Sequence, residues 1–524
     1  ACANTANLLL ARASSRGREM ALRAALGASR ASIVRQVLIE SVLLSVAGAC
    51  VGVTLAYWIV PVLLAITPPG YLVVEQIQVD RVVLAAATLV AVVTGILFGL
   101  APALSASKRN PIDALRNDST RLTASRGTGW LRHALVIGQF AVCTLLLVGA
   151  GLMIRTFVNL RALDPGFDPR GILTTRMSLQ GERYSAPEAV NRLYEEGLQR
   201  IRSMPGVSAA AVVSGLPLEP ALNLNVDVLD GAVDEQVSNA LTDWRYATAG
   251  YFETLGIRIV AGRGFTNADR AGAPPVAVVS ETFARRILKG RALGRYIRIF
   301  DADGSMEVVG IVADLREGGL RGPVPAVMYV PVAQTHATAL KTTHSYFHVS
   351  WVVRAAHADA GLARQIEQEV EALDPRQPMS AFRTMDEVKS RAMAAERFQM
   401  ILLGCFAGIG LLLASAGIYG LVAYTVAQRT REFGIRMALG ASRGRILGTV
   451  LRQSALLALA GIIAGGAASI LATRALRSFV WGVSTTDSAT FTIVPVLLAL
   501  VAMAASLVPA ARAVRLNPIR ALRE

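Results

Sequence analysis

The chain has 524 residues, 53% of them hydrophobic and only 17% charged, yet it carries a formal net charge of +16 and a mean hydropathy of +0.46. Soluble domains run near about 25% charged, so the composition excludes an ordinary soluble enzyme and a disordered tail. The basicity would suggest a nucleic-acid surface only if the charge sat on a folded polar face, and its partition along the chain, given below, places it elsewhere.

In chain order, six charge-free windows are each long enough for a helix to cross the ~30 Å of a bilayer core. They are Ser41–Val74, Val82–Ser107, Ala134–Ile154, Phe398–Gln428, Gln453–Thr473 and Ser488–Ala511. The first exceeds one crossing, and Pro68-Pro69-Gly70 predicts that its helix stops near Ile66. Basic residues crowd Arg12–Arg35, Lys108–Arg132, Arg429–Arg452 and Arg512–Arg523, whereas the short opposite loops hold only Arg81, Arg474 and Arg477. Lys and Arg mark the cytoplasmic side, which places the long stretch from about Thr156 to Glu396 outside the cytoplasm. Trp58, Trp130 and Trp481 fall near span ends, where an amphipathic ring is comfortable. Residues 158–396 carry a net charge of −2 and the remainder +18, so the charge reports topology. Cys2, Cys50, Cys143 and Cys405 all lie in apolar segments and read as small packing residues.

The outer stretch reads as mixed α/β. Strands are expected at Ile172–Leu179, Val207–Ser214, Ser345–Arg354 and Ser380–Arg383, and amphipathic helices at Pro187–Arg202 and Asp359–Leu373. Two β-α-β halves would then flank a β-rich insert with strands at Val276–Val279, Arg295–Phe300 and Met306–Val312 and a short helix after Ser280. Catalytic and metal signals are absent. His344 and His348 lack the Glu of a zinc-protease motif, and Asp301-x-Asp303-Gly304 lacks the closing Glu of a calcium loop and reads as a hairpin turn.

Self-comparison finds two internal matches. Arg16–Arg30 (RGREMALRAALGASR) and Arg429–Arg443 (RTREFGIRMALGASR) share ten of fifteen positions at an offset of 413. Leu100–Arg116 and Leu507–Arg523 share ten of seventeen at an offset of 407 and end in N-P-I-x-A-L-R. Each copy reads as the end of a span, a basic motif, a span, an outer loop, a span and the tail. Offset 413 pairs Ala1 with Ala414, midway through a span, so Ala1–Ala11 reads as a partial first span and the chain as N-terminally truncated within its first copy. In the motif, Glu19 precedes Arg23 by four residues, as Glu432 precedes Arg436, a spacing that supports a helix. Gly27 and Gly440 are placed to end that helix in a turn. A short amphipathic helix at the cytoplasmic face follows. A positive-inside anchor explains its arginines, but not the recurrence of Glu and of Ala-Leu-Gly-Ala-Ser.

These paired motifs, the two tails and the arrangement of spans resemble the FtsX/MacB-type permeases of ABC transporters, in a duplicated form similar to those abundant in acidobacteria. The resemblance implies an α-helical polytopic membrane protein, with six full spans and the partial first one, and a mixed α/β extracytoplasmic domain of the MacB periplasmic-core type. Residues 1–116 would be the remainder of the first permease unit and 117–133 a cytoplasmic linker. Residues 134–157 would be the first span of the second unit, 158–396 the outer domain and 397–524 the last three spans. The resemblance further implies that a cytoplasmic ABC ATPase docks on Arg16, Glu19, Arg23, Leu26 and Gly27 and on Arg429, Glu432, Arg436, Leu439 and Gly440. ATP and Mg would belong to that partner, since the chain has no Gly-Lys pair and therefore no P-loop. No cofactor or nucleic acid is expected. A periplasmic adaptor or outer-membrane channel remains open, as does an intrachain pseudo-dimer in a bacterial inner membrane. Gly48/Gly52, Gly95/Gly99, Gly404/Gly408 and Gly461/Gly465 each give G-x-x-x-G for helix packing. The expected function is coupling of ATP hydrolysis to movement of the outer domain for export. A signal transmitter acting on a cell-wall hydrolase is the alternative.

Overall fold

The computed structural model describes Leu26 and residues 29–68, 77, 79–107, 121–179, 181–229, 236–299, 304–476 and 479–514. Two compact units divide the chain: Ala1–Asn159 with Ala395–Glu524, and Leu160–Ala394.

Among the described residues, the first helix of the first unit is α1 (Arg30–Ala65), opened by Ser29, whose hydroxyl accepts from the Ser32 amide. It stops at Ile66, just before the prolines, as the sequence predicts. Asp80 opens α2 (Arg81–Ser107) by accepting from the Val83 amide at 2.8 Å. The third helix, α3 (Arg121–Ala162), is far longer than its charge-free window. Residues 121–133, expected within a linker, continue the same helix. A charge-free window measures only the part of a helix that needs lipid, and isolated glycines such as Gly127 and Gly129 cost about 1 kcal/mol each without breaking a helix.

The second unit holds two lobes. In the first, β1 (Ile172–Met177), α4 (Pro187–Arg202) and β2 (Val207–Val213) form one half. Pro187 sits at the first helical position, and Val190, Leu193, Tyr194, Leu198 and Ile201 line the buried face at helical spacing. The insert follows, with β3 (Leu222–Leu229), β4 (Gln236–Ala247), α5 (Tyr251–Leu255), β5 (Ile259–Gly262) and β6 (Val276–Ser280). It continues with α6 (Glu281–Arg286), β7 (Tyr296–Ile299), β8 (Met306–Val312), β9 (Val327–Pro331) and α7 (Ala337–Tyr346). Then β10 (Val349–Ala355), α8 (Ala360–Glu371), β11 (Met379–Thr384) and α9 (Met385–Ala392) complete the first lobe. Its strands run β11-β1-β10-β2, each pair antiparallel. This is a split β-α-β pattern with the insert between its second and third strands.

The insert closes on itself. Its strands follow β4-β3-β7-β8-β6-β9, and β9 returns parallel to β4 through Asp243↔Val327 to Ala247↔Pro331. The expected β-rich insert is therefore a six-stranded ring, with β5 added on β8. A single residue pair, Val213↔Ala247, continues the sheet from β2 into the ring. Beside it lies a fully buried ion pair, Arg245 to Glu317 at 2.8 Å, with both side chains 0% exposed. Tyr329 donates to Glu317 at 2.6 Å, while Arg245 donates to the carbonyls of Ser214 (3.2 Å) and Glu219 (2.8 Å). Arg245, Glu317 and Tyr329 belong to the ring lobe and Ser214 and Glu219 to the segment leaving β2, so this network ties the lobes together. The strand expected from Ser345 starts only at Val349, because α7 continues to Tyr346.

The chain returns to the first unit with α10 (Ala394–Gln428), α11 (Thr430–Ala438), α12 (Arg443–Leu476) and α13 (Ser488–Val514). Among the described residues, five helices are long and apolar enough to cross a membrane: Val34–Ala65, Arg132–Ala162, Ala394–Gln428, Arg443–Ala472 and Ser488–Arg512. Arg81–Leu97, within α2, is apolar but shorter. A core joins Phe140, Cys143 and Leu152 of α3, Ile418 and Val422 of α10, Ile446 and Val450 of α12, and Val494 and Leu498 of α13. The helix bounds carry the sequence offsets: α1 and α12 begin 413 residues apart, and α2 and α13 begin and end 407 apart. Asp487, the residue 407 after Asp80, opens α13 in the same way, accepting from the Thr490 amide at 2.8 Å.

Candidate functional site

Between α10 and α12, the nine-residue α11 carries the second copy of the basic motif. Phe433 and Gly434 are buried, and Phe433 joins the membrane core with Met437 packed beside it. The opposite stripe holds Ile435, Leu439, Glu432 and Arg436, which fall together at 3.6 residues per turn. Glu432 pairs with Arg436 one turn on, and more loosely with Arg429 at 3.9 Å. These exposed pairs each contribute only about 0.3–0.5 kcal/mol, so they orient the arginines more than they stabilise the helix.

The helix ends in a Schellman motif. The Ala441 amide donates to the Arg436 carbonyl at 2.9 Å and the Gly440 amide to that of Met437 at 3.1 Å. Gly440 takes φ +92°, a conformation that disfavours any side chain. The turn delivers the chain to Ser442, whose carbonyl accepts from the Arg445 amide as α12 begins. Leu439 is left 83% exposed, and Leu26, its counterpart at offset 413, is 81% exposed. Arg16, Glu19, Arg23 and Gly27 lie outside the described residues, as do Asp301 and Asp303 of the expected turn and both N-P-I-x-A-L-R tails.

The four glycine pairs behave differently. A Cβ on Gly465 would lie 2.5 Å from the Ala141 carbonyl oxygen and 2.5 Å from Thr144 Cβ, and one on Gly461 would overlap Phe140, so this pair seats α12 on α3. Gly95 and Gly99 seat α2 on α1, with a Cβ on Gly95 falling 2.9 Å from Val42 Cα and one on Gly99 2.8 Å from Ser41 Oγ. At Gly48, Gly52, Gly404 and Gly408 a Cβ would meet nothing within 4 Å. At the other end of α3, Arg155 pairs with Asp487, and Asn159 donates to the Gly482 carbonyl at 2.9 Å. The Arg155 hydrogen bond holds the Asp487 carboxyl below its ordinary value.

Comparison with known proteins agrees with both units. The MacB-like periplasmic core domain profile matches residues 134–373, and the FtsX-like permease C-terminal profile matches residues 1–111 and again 404–518. The chain belongs to the FtsX-like permeases with a MacB-like periplasmic core.

This permease is therefore a multi-pass membrane protein with an extracytoplasmic mixed α/β domain. An ABC transporter permease of Bacillus subtilis, YknZ, is 27% identical over 52% of this chain and 68% of its own. The macrolide export ATP-binding/permease protein MacB of Azoarcus is 25% identical over 74% of this chain and 56% of its own. The pyoverdine export ATP-binding/permease protein PvdT of Pseudomonas fluorescens is 31% identical over 50% of this chain and 40% of its own. The permease thus spans only about half the length of the ATP-binding/permease relatives.

Sequence reasoning had missed Phe433 and Ile435. Phe433 and Met437, four apart and opposite Ile435 and Leu439, carry the signal for an anchored helix with a free apolar stripe. The Arg155–Asp487 pair left no local signal, because its partners lie 332 residues apart.

Proposed function

We propose that this permease is the membrane subunit of an ABC-type exporter, driven by a separate cytoplasmic ATPase that docks on α11 and on the first copy of the same motif around Glu19–Gly27. The observation that carries this reading is the build of α11: anchored through Phe433, capped through Gly440, and offering Ile435 and Leu439 uncovered beside an oriented arginine. An exposed apolar pair on a rigid, basic helix is what a protein partner covers, and a topological anchor needs only the arginines. The second FtsX-like match and the recurring helix bounds support an internal duplication, which would give the ATPase two docking points on one chain.

ATP-driven closure of the partner would push both copies of the motif. The spans continuing from them would carry the motion to Leu160–Ala394 as a rigid-body transmission, expelling a substrate already outside the membrane. An ATPase gene co-expressed with the permease supplies the test. Leu26→Asp with Leu439→Asp should abolish co-purification of the ATPase, and Arg23→Glu with Arg436→Glu should weaken it at least tenfold. Normal binding by both double variants would leave the motif a simple anchor and end the proposal.

A further inference from the structure

Three arginines of the outer domain gather where β1, β11 and α9 meet. Arg176 of β1 lies opposite Ser380 of β11 and Thr174 lies opposite Arg383, so Arg176 and Arg383 are diagonal neighbours on one face of the sheet. Arg391 stands one turn after Glu387 on α9, the helix that Thr384 opens directly after Arg383. The carboxylates nearby are already engaged. Glu219 pairs with Arg176 and accepts from the Leu216 amide at 3.4 Å, and Glu387 closes the α9 capping box by accepting from the Thr384 amide at 3.0 Å. Arg383 is only 8% exposed, yet its one hydrogen bond among the described residues runs from Nε to the Ala381 carbonyl at 3.3 Å. No described carboxylate comes within ion-pairing distance of it or of the exposed Arg391, and the buried Arg176 Nε has no acceptor.

A guanidinium nine-tenths buried without an ion-pair partner is costly, and two like charges beside it add to the cost. Burial, and then the charges of Arg176 and Arg391, press the Arg383 pKa below its ordinary value, and Glu219 and Glu387 offset only part of this. The backbone is strained at the same place. Leu218 (φ +70°) and Ala381 (φ +53°) are two of the three described non-glycine residues in the left-handed region. Leu218 precedes Glu219, and Ala381 supplies the carbonyl that takes the Arg383 Nε. Strain of this kind persists where the surroundings enforce an arrangement that function requires.

We propose that Arg176, Arg383 and Arg391 form an oxyanion site that takes one singly charged phosphodiester group. Around Arg383, three cations against two carboxylates leave one positive charge, the complement of a monoanion. Guanidinium forks match the paired oxygens of such a group. Arg176 and Arg383 hold its buried side and Arg391 its rim. The chain itself says where phosphodiesters are at hand. Arg391 precedes the start of α10 at Ala394 by three residues and the charge-free stretch from Phe398 by seven, so the backbone keeps it within about 17 Å of the part that needs lipid. A phospholipid headgroup and a free phosphodiester share the chemistry. The site also touches the joint between the lobes, because the Glu219 side chain holds Arg176 while its carbonyl accepts from Arg245 at 2.8 Å.

Lipid retention and headgroup titration on the full permease test it. One probe is phosphatidylglycerol, followed by native mass spectrometry after delipidation in detergent. The other is its deacylated headgroup, glycerophosphoglycerol, followed by titration calorimetry. At least one of them should bind the wild type at a single site. Arg383→Met should weaken that binding by about tenfold or more, and Arg391→Ala by about threefold. Arg192→Ala, which removes an exposed arginine of α4, should change nothing. The ligand-free melting temperature of Arg383→Met should be no lower than that of the wild type, because the charge removed had no partner. If that variant does not fold, the exposed Arg391→Ala carries the same test. Binding of the lipid alone assigns the site to an outer-leaflet headgroup, and equal binding of glycerophosphoglycerol assigns it to a free phosphodiester. Binding of neither probe, binding unchanged in the arginine variants, or a site filled only by acetate would overturn the proposal.

Discussion

Glu317→Ala puts the joint between the two outer lobes to the test. Both members of the Arg245–Glu317 pair are wholly buried, so removing the carboxylate strands a guanidinium that keeps only the Ser214 and Glu219 carbonyls, and leaves the Tyr329 hydroxyl without its acceptor. Burial alone would weaken the Arg245 charge, and the Glu317 carboxylate is the main group that offsets it. Breaking a buried pair from one side costs about 3–5 kcal/mol. For a domain of this size each kcal/mol shifts the melting temperature by about 2–4 °C, so a fall of about 6–20 °C is expected. The isolated domain, residues 160–394, can be heated while the buried Trp244 and Trp351 report by fluorescence. Arg245→Met combined with Glu317→Leu should recover most of the loss, because neither charge is then left alone. A fall below about 2 °C for the single variant, or a double variant no better than the single, would refute the assignment of this network as the joint.

Three further outcomes are expected. Gly440→Val forces a branched side chain into φ +92° and should destabilise the α11 turn by at least about 1–2 kcal/mol, read as loss of co-purification of the proposed ATPase while the permease still inserts and purifies. Burial lowers the His344 pKa to about 4, where its ring meets the Tyr246 hydroxyl at 2.8 Å. Because the unfolded imidazole takes up its proton near pH 6.5, domain stability should rise with pH between about 4 and 6.5, by at most about 1.4 kcal/mol per unit, and His344→Leu should flatten that part of a urea-unfolding profile. Asp487→Ala loses both the α13 cap and the ion pair and should cost about 1–2 kcal/mol, whereas Arg155→Ala removes only a half-exposed pair worth about 0.2–1 kcal/mol; equal losses in a thermal scan in detergent would contradict the capping role.

The membrane part was legible because lipid imposes a rule that sequence must obey: no charge over a crossing. Hence the ranges of α10 and α13 follow closely from the residues, while the end of α1 at Ile66 follows from the prolines just beyond it. The motif helix was legible through its glycine, whose left-handed turn is a local demand. The split β-α-β lobe showed in the periodicity of Pro187–Arg202 and in Asp359, which caps α8 with two amide hydrogen bonds. What stayed hidden was non-local. β3 and β4 read as LNLNVDVL and QVSNALTDWRYA, where interspersed Asn, Asp and Thr mask strands whose return partner, β9, lies about eighty residues on. The strand-forming YFHVSWVV run predicts extended chain from Ser345, yet α7, opened by the His336 ring accepting from the Thr338 amide, runs on to Tyr346 and holds His344 in its last turn. Its ring there meets the Tyr246 hydroxyl, a partner that spacing could not suggest.

The closed ring in the outer domain has a consequence for how the permease meets other proteins. An open sheet edge invites any extended chain to add a strand, a hazard in a compartment crossed by unfolded polypeptides. Here β9 and β4 consume each other's edges. The outermost strand of the other lobe, β11, is bent by a register shift against β1 and by the left-handed Ala381 at φ +53°, a distortion that spoils it as a template. Among the described strands of the ring, the free edge is that of β5, only four residues long and added on β8. A protein that engages this domain therefore meets chiefly side chains on its loops and helices, which makes selectivity a property of surface chemistry.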